Sequence, residues 1–339
     1  MRFLLIMIFL FVVKFNSYAQ DVQYSQFYAN PLYLNPAFAG ATERTRIGAN
    51  FRTQWPALDQ NFVAYSAYVD HFSEKYNSGV GILINGAKES FTQSQNFEIG
   101  LVYSYRLRLG EKSFLNAGVQ GSFVSRDALF DDVILGTQLN IDRGTIIGDP
   151  GSGFEGDANQ SDLDLASGLL FYNERVWLGV SAFHLLAPQI SYLIVDGNQL
   201  PIKYTGHGGI RFDLAPGNIN DFFNNTDQER SISFAFNYKS QGQFSQLDLG
   251  AELFLEPLVL GLWYRGLPTK YSLPNNESII GLLGVSLDSG VEIGYSYDFT
   301  ISKFGQRNTG GAHEISVRYV FSSKDPRKKY YSPLPSFRY

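Results

Sequence analysis

Cysteine is absent from all 339 residues of the chain, and histidine, tryptophan and methionine are rare, with four, three and two copies. Without cysteine the protein can form neither disulfides nor thiolate metal sites, and a lipid anchor attached through a cysteine is excluded as well. Charged residues are also scarce, at 17% of the chain, against about a quarter in ordinary soluble domains. The net charge of -5 gives no electrostatic reason to expect nucleic acid as a partner.

Catalytic signatures are missing too. The sequence contains no G-x-S-x-G, H-E-x-x-H or C-x-x-C motif. Its histidines fall on separate predicted strands or turns, and the carboxylates of residues 125–161 match no EF-hand spacing. No pair of titratable groups stands out as an acid and a base. We therefore predict that the protein is not an enzyme and that it holds no cofactor and no metal.

Long hydrophobic runs are confined to the N-terminus, and none later approaches the roughly 18 apolar residues of a membrane-spanning helix. Arg2, an apolar run over residues 3–13 and a small-residue site at residues 17–19 are typical of a secretory signal peptide. We expect residues 1–19 to be removed. An uncleaved anchor is the alternative, because Lys14 directly follows the apolar run.

Aromatic residues and glycine are abundant, with 21 Tyr, 28 Phe and 33 Gly. Many of them lie in segments whose apolar and polar residues alternate. In residues 96–110, NFEIGLVYSYRLRLG, every odd position is apolar or aromatic, whereas the even positions include Glu98, Arg106 and Arg108. A period of two is typical of a β-strand. Similar alternation occurs over residues 44–55, 231–239, 246–256 and 291–301.

The predicted strands are long. Strands of soluble proteins average about five or six residues, whereas a tilted strand needs about nine to eleven to cross a bilayer. The chain offers about fourteen such segments, joined largely by alternating short and long connections. The sequence therefore predicts an all-β, antiparallel transmembrane β-barrel of the outer membrane, with about 14 strands over residues 44–321. Its apolar faces should meet lipid, and its polar faces should line a lumen.

The segment at residues 20–43 precedes the first predicted strand and is aromatic without clean alternation. A free periplasmic leader is one interpretation, but so many exposed aromatic rings would be unfavourable in water. We predict instead a folded plug, or hatch, in the periplasmic mouth of the barrel, with its backbone bonded by Arg46, Asn50 and Arg52 of the wall. Two Asn-Pro pairs would bend it. The predicted plug residues are Phe27, Tyr28, Asn30, Pro31, Tyr33, Asn35, Pro36 and Phe38.

Two C-terminal features are candidate partner contacts. A glycine pair introduces the last predicted strand, where it also fits a plain turn. Residues 322–339 form a basic tail after that strand, predicted to be periplasmic, whose charge run could dock a partner or simply be solvated. The candidate contact residues are Gly310, Gly311, His313, Glu314, Arg327, Lys328 and Lys329.

Three motifs resemble the PorP/SprF family of outer-membrane proteins: SQFYANPLYLNPAFAG, RTQW and IGYSYDFTISKFGQRNTGGAHEISVRYVF. The resemblance extends over residues 20–321. That family belongs to the type IX secretion and gliding-motility system of Bacteroidetes. The resemblance implies an accessory outer-membrane barrel that helps specific secreted proteins, often large adhesins, to reach the cell surface and attach to it.

Recognition of a secreted protein's C-terminal sorting domain is the activity that this resemblance implies. The implied partners are that domain, other type IX secretion components and outer-membrane lipid. The alternative function is a plugged outer-membrane channel for small or hydrophobic solutes, which the polar lumen face favours. The segment Asn35-Pro36-Ala37 favours it too, because it is similar to the N-terminal hatch of the more distant fatty-acid-channel barrels.

Overall fold

The computed structural model describes residues 21–59, 61–90, 93–127, 139–140, 145–146, 159–189, 199–214, 229–267 and 275–321. Fourteen antiparallel strands of this part of the chain close into a barrel, as the sequence predicts. The strands are β1 (Arg46–Gln54), β2 (Phe62–Ser73), β3 (Ser78–Glu89), β4 (Gln95–Arg108), β5 (Phe114–Asp127), β6 (Leu139–Asn140), β7 (Thr145–Ile146), β8 (Asn159–Tyr172), β9 (Val176–Phe183), β10 (Lys203–Asp213), β11 (Arg230–Gln241), β12 (Phe244–Leu255), β13 (Leu258–Leu267), β14 (Asn275–Ser286), β15 (Val291–Thr300) and β16 (Ala312–Val320).

Neighbours along the chain are neighbours in the barrel, with one exception. The short strands β6 and β7 pair only with each other, so β5 pairs with β8. The barrel closes where β1 pairs with β16, in an unbroken register from Arg46 opposite Val320 to Gln54 opposite Ala312. Closure leaves no open sheet edge, which is the condition for a β-structure to lie in lipid.

Alternation along each strand separates an outer apolar face from an inner polar one. In β4, Leu101 is 68% exposed and Tyr103 is 47% exposed. Val102, which lies between them, and Ser104, which follows Tyr103, are buried. The same alternation continues in β16, where Ile315 and Val317 face outward and Ser316 faces inward. An exposed apolar band around a polar interior is typical of a barrel in a membrane. None of the described helices is long and apolar enough to cross a membrane.

The strand connections gather at two ends of the barrel. We call the end from which β1 starts the turn end and the opposite one the loop end. Turn-end connections include the short turns at residues 109–113, 173–175, 256–257 and 287–290. At the loop end, β5, β9, β13 and β15 end and β8, β10, β14 and β16 begin, and a two-residue turn at 242–243 joins β11 to β12.

Short helices account for most of the remaining regular structure. The N-terminal segment (residues 21–43) contains 3-10 turns at Phe27–Ala29 and Pro36–Phe38 and an α-helix at Pro31–Leu34. Proline begins two of these elements, where its fixed φ suits the first helical position. Asn35 caps the last one, because its Oδ1 accepts a hydrogen bond from Ala37 N at 2.9 Å. Outside this segment lie a 3-10 turn at Glu74–Tyr76 and an α-helix at Gln306–Thr309.

Candidate functional site

The N-terminal segment lies inside the barrel and extends from the loop end to the turn end. Near the loop end, Lys203 Nζ of β10 is 2.5 Å from the Asp21 carboxylate. Near the turn end, Gly40 N donates to Asp70 of β2 at 2.8 Å. Between them, Ser316 donates to Gln26 Oε1 at 2.6 Å from the middle of β16. The segment therefore reaches much further than the single mouth in which the sequence analysis expected it.

A buried ionic cluster surrounds Ser25. Arg52 Nη1 donates to Ser25 Oγ at 2.6 Å, and Arg52 Nη2 lies 2.8 Å from Asp298. The Ser25 hydroxyl in turn donates to Asp298, at 2.7 Å from Oδ2. Glu314 accepts hydrogen bonds from the backbone N–H groups of Ser25 and Gln26, at 2.6 and 3.2 Å. These charges are stable inside the barrel because each carboxylate faces cationic or N–H donors.

Arg265 of β13 extends this cluster along the wall to β12. Its guanidinium is fully buried and contacts Asp248 at 2.8 Å and Asp298 at 3.1 Å. It also donates to the backbone carbonyl of Tyr24 at 3.2 Å. The N-terminal segment thus completes hydrogen bonding for charged groups on the neighbouring strands from β13 round to β1.

Asp21 forms a second ionic contact, at the loop end. His184 Nε2 and Lys203 Nζ both approach its carboxylate, at 2.9 and 2.5 Å. Burial alone would raise the pKa of Asp21, but these two cations hold that pKa well below its usual range. Burial would lower the pKa of His184, yet Asp21 and Asp164 raise it to about 9. The imidazole is therefore protonated at neutral pH and holds the segment to the connection after β9.

Close packing holds the middle of the segment. At position 118 in β5, a Cβ atom would lie 2.3 Å from Ala37 N and 2.4 Å from Pro36 C. Only glycine leaves room for the backbone of the segment at this point. Asn116 of the same strand donates to the Ala37 carbonyl at 3.0 Å, and Ser181 of β9 donates to the Leu34 carbonyl at 2.9 Å.

Aromatic side chains of the segment join the apolar core of the barrel. Phe27 packs edge-on against Trp263 with ring centroids 5.2 Å apart, and Tyr28 stacks on the same indole at 5.7 Å. Phe38 stacks on His207 of β10 at 5.3 Å. Each fully buried ring stabilises the packed state by about 1.5–3 kcal/mol, so these contacts are a major part of what keeps the segment inside.

A cavity of about 470 Å³ remains at the loop end, between the N-terminal segment and strands β10 to β14. Its wall combines amides and charged groups with aromatic rings of the segment, among them Tyr24 and Tyr33. A smaller cavity of about 80 Å³ lies towards β3, β4 and β5, and Asp21, Val22 and Tyr33 line both spaces. The start of the segment therefore separates the two cavities.

A family model, described as the type IX secretion system membrane protein PorP/SprF, matches residues 16–319 of the chain. The chain belongs to the PorP/SprF family. It is an outer-membrane protein, and membership implies association with other components of type IX secretion. The family is a membrane component of a secretion system and not an enzyme class.

Solved structures with a similar fold are distant from this PorP/SprF protein. Omp33 of Acinetobacter baumannii is 10% identical over 83% of this chain and 100% of that chain, with a TM-score of 0.41. A FadL homologue of Pseudomonas aeruginosa is 12% identical over 84% of this chain and 92% of that chain, also at 0.41. The TodX deltaS2S3 mutant monoaromatic hydrocarbon channel is 12% identical over 85% and 92%, at 0.43. No curated protein matches the chain.

The residues predicted for the plug come together within the PorP/SprF barrel. Seven of the eight are buried, and Tyr33 is half-buried, with its hydroxyl donating to Val22 O at 2.8 Å. Asn35 is fully buried and donates to the backbone carbonyls of Leu169 and Val180, at 3.0 and 3.2 Å. Asn30 is equally buried, and its side chain accepts or donates no hydrogen bond among the described residues.

The wall groups expected to bond the segment backbone do so only in part. Arg46 donates to the Phe38 carbonyl at 3.4 Å, as predicted. Arg52 instead bonds the Ser25 side chain, and Asn50 bonds Glu314 at 3.2 Å. The backbone N–H groups are donors, so carboxylates rather than guanidinium groups must accept from them. The wall residues of β1 alone do not indicate this role, which belongs to Glu314 of β16.

The candidate contact residues around the start of the last strand occupy two different surfaces. Glu314 is 0% exposed and faces inward, because successive residues of β16 alternate between its two faces and His313 lies on the outer one. It therefore cannot contact an external partner in this arrangement. His313 faces outward beside Tyr297, with ring centroids 4.9 Å apart. Gly310 and Gly311 have φ values of 71° and 75° and end the helix Gln306–Thr309, which fits a turn.

Three predictions fall outside the described residues: the signal peptide at 1–19, the tail at 322–339 with Arg327, Lys328 and Lys329, and most of the acidic connection after β5. Within the described ranges, no group of three or more His, Asp or Glu side chains could hold a metal ion. Sequence reasoning also missed the contacts of Asp21, His184 and Asp298, since they join residues more than 160 positions apart.

Proposed function

We propose that this protein is an accessory component of type IX secretion that helps specific secreted proteins, large adhesins in particular, to reach the cell surface and attach to it. It would do so by recognising their C-terminal sorting domain. The match of the PorP/SprF family model to residues 16–319 is the observation that supports this function. A lumen that holds a packed N-terminal segment is compatible with it, because the proposed role in secretion requires no open pore.

A deletion strain tests this function. We expect one or a few large proteins to disappear from the cell surface, as measured by mass spectrometry of peptides released from intact cells by protease. Re-expression of the wild-type gene should restore them. An unchanged set of surface proteins in the deletion strain would contradict the proposal, whatever the barrel does in a purified system.

We further propose that residues 21–43 act as a plug that prevents ion flow through the lumen. The supporting observations are the length of the segment inside the barrel and its burial, with Leu32, Ala37 and Asn35 all 0% exposed. The interior of a barrel larger than about eight strands is too wide for wall side chains alone to fill. The segment supplies the missing volume.

Planar-bilayer recordings test the plug. Deletion of residues 21–38 should leave a barrel that inserts and conducts ions steadily, whereas the full-length protein stays closed. Deletion of residues 322–339 removes the same number of residues and is the matched control, expected to stay closed. If the 21–38 deletion inserts normally and remains electrically silent, the segment does not act as a plug.

A second candidate function is a plugged channel for small or hydrophobic solutes. The cavity of about 470 Å³ at the loop end favours it, because a solute could bind there before the segment moves. Liposome swelling with the full-length protein distinguishes the two functions. If liposomes with the full-length protein take up solute, and the 21–38 deletion only makes uptake faster, the channel function is favoured. If liposomes with the full-length protein are impermeable, the secretion role is favoured.

A further inference from the structure

A β-bulge in β14 turns a carboxylate into the loop-end cavity. Arg265 of β13 pairs with Ser278 of β14, but the next residue, Gly266, pairs with Asn276. Glu277 is therefore skipped and has no partner in β13. Successive residues of a regular strand point to opposite faces, yet Ser278 is buried inside the barrel and Glu277 lines the cavity. Bulges of this kind re-aim side chains and are over-represented beside functional sites.

The Glu277 carboxylate accepts no hydrogen bond from any side chain or N–H group among the described residues. Other charges at this cavity are already engaged. Lys203 is bound to Asp21 at 2.5 Å, and Lys239 lies 3.7 Å from Asp248, which Arg265 also contacts. Arg265 and Lys239 attract this carboxylate electrostatically without bonding it, so its oxygens are open to water or to a cationic ligand in the cavity.

Aromatic rings surround the space that this carboxylate faces. Tyr24, Phe27 and Tyr33 of the N-terminal segment form one wall. Phe244 and Phe304 lie at the loop-end rim, where they are 42% and 65% exposed. Aromatic faces attract cations and also bury apolar groups, so a carboxylate among them suits a cation that is attached to an apolar group.

We propose that the loop-end cavity binds a ligand whose ammonium or guanidinium group pairs with Glu277 while an adjoining apolar group packs against the aromatic rings. The ligand can be a free amine or a basic side chain of a peptide, since both carry this chemistry. The site goes beyond the proposed secretion function and does not depend on it.

Isothermal titration of the purified full-length protein in detergent tests the site. The probe is acetyl-Phe-Arg-amide, and the matched neutral probe is acetyl-Phe-citrulline-amide, which has nearly the same shape and no charge. We expect the arginine dipeptide to bind and the citrulline dipeptide to bind at least about tenfold more weakly, because a charge-assisted hydrogen bond is lost. A parallel titration with 2-phenylethylamine shows whether a free amine binds as well as the peptide.

The variant Glu277→Gln should weaken arginine-dipeptide binding about tenfold, to the level of the citrulline dipeptide. Glu111→Gln removes the same charge from an exposed turn at the other end of the barrel and should leave binding unchanged. If Glu277→Gln fails to fold, the comparison of the two dipeptides on the wild-type protein still decides. Equal binding of both dipeptides, or no binding of either cationic probe in the millimolar range, would overturn the proposal.

Discussion

Two stretches of the N-terminal segment are held inside the barrel by different means. Residues 21–26, which we call the entry stretch, are bonded by charged groups such as Lys203, Arg52 and Glu314. Residues 34–37, the middle stretch, are bonded by hydroxyl and amide groups such as Ser181 and Asn116, and they pack against Gly118. The entry stretch depends on charge, whereas the middle stretch depends on shape.

The two kinds of contact respond differently to change. A buried ion pair is costly when one member is removed, because the remaining charge has lost its partner in a medium of low dielectric. A close backbone contact is insensitive to pH and salt, but it tolerates no added atoms. The entry stretch should therefore be the part that conditions can release, and the middle stretch should be the fixed part.

The largest effect is expected from an added side chain under the middle stretch. In Gly118→Val, the new Cβ would meet backbone atoms of Pro36 and Ala37 at 2.4 and 2.3 Å, which cannot move aside without displacing the segment. We expect a loss of roughly 3–5 kcal/mol in the free energy of unfolding, the scale of an unpacked aromatic side chain. Urea unfolding in lipid vesicles measures it, and the variant should also conduct ions.

Gly121→Val is the matched control in the same strand. Its added Cβ has one neighbour, Leu165 Cδ2, at an ordinary 3.8 Å, and the position faces outward. We expect stability and conductance to remain those of the wild type. Equal losses in both variants would show that valine disturbs β5 itself and that the backbone contact has no special role.

Removal of a wall charge that bonds the entry stretch comes next. Arg52→Met leaves Asp298 and Glu314 without one of their cationic partners, although Arg265 still contacts Asp298 at 3.1 Å. We expect a loss of about 3 kcal/mol in the free energy of unfolding. Lys112→Met breaks an exposed pair with Glu174 and should cost less than about 1 kcal/mol. Similar losses in the two variants would contradict a special role for the buried cluster.

The contact between His184 and Asp21 should make the entry stretch sensitive to alkaline pH. The folded protein raises the pKa of His184 from 6.5 to about 9. The stabilisation is therefore complete below pH 6.5 and is lost as the pH rises through about 9. We expect a fall of about 2–3 kcal/mol in the free energy of unfolding across this window, which His184→Gln should abolish. The same pH dependence of stability in the wild type and in His184→Gln over that window would refute the ionic contact.

The sequence predicts the barrel better than it predicts the interior. Strand number and facing follow from alternation, which is local, so residues such as Leu101 and Ser104 can be assigned without knowing their neighbours. The aromatic rings of the N-terminal segment likewise indicate burial. The partners of that segment depend on barrel closure, which brings Arg52 of β1 beside Glu314 of β16. No local pattern encodes such pairs. None indicates that position 118 must be glycine to leave room for the backbone of Pro36.

The smallest effect is expected when the same hydroxyl group is removed from a contact of each stretch and the losses in stability are compared. Ser25→Ala removes a hydroxyl that bonds Arg52 and Asp298, whereas Ser181→Ala removes one that bonds only the neutral Leu34 carbonyl among the described residues. Hydrogen bonds to charged groups contribute about 1.5–3 kcal/mol and neutral ones about 1 kcal/mol. Ser25→Ala should therefore destabilise the protein by about 1 kcal/mol more than Ser181→Ala in urea unfolding. Because the two substitutions remove the same atom from buried sites, the difference isolates charge from packing. A larger loss for Ser181→Ala would mean that the entry stretch is not held chiefly by its charges.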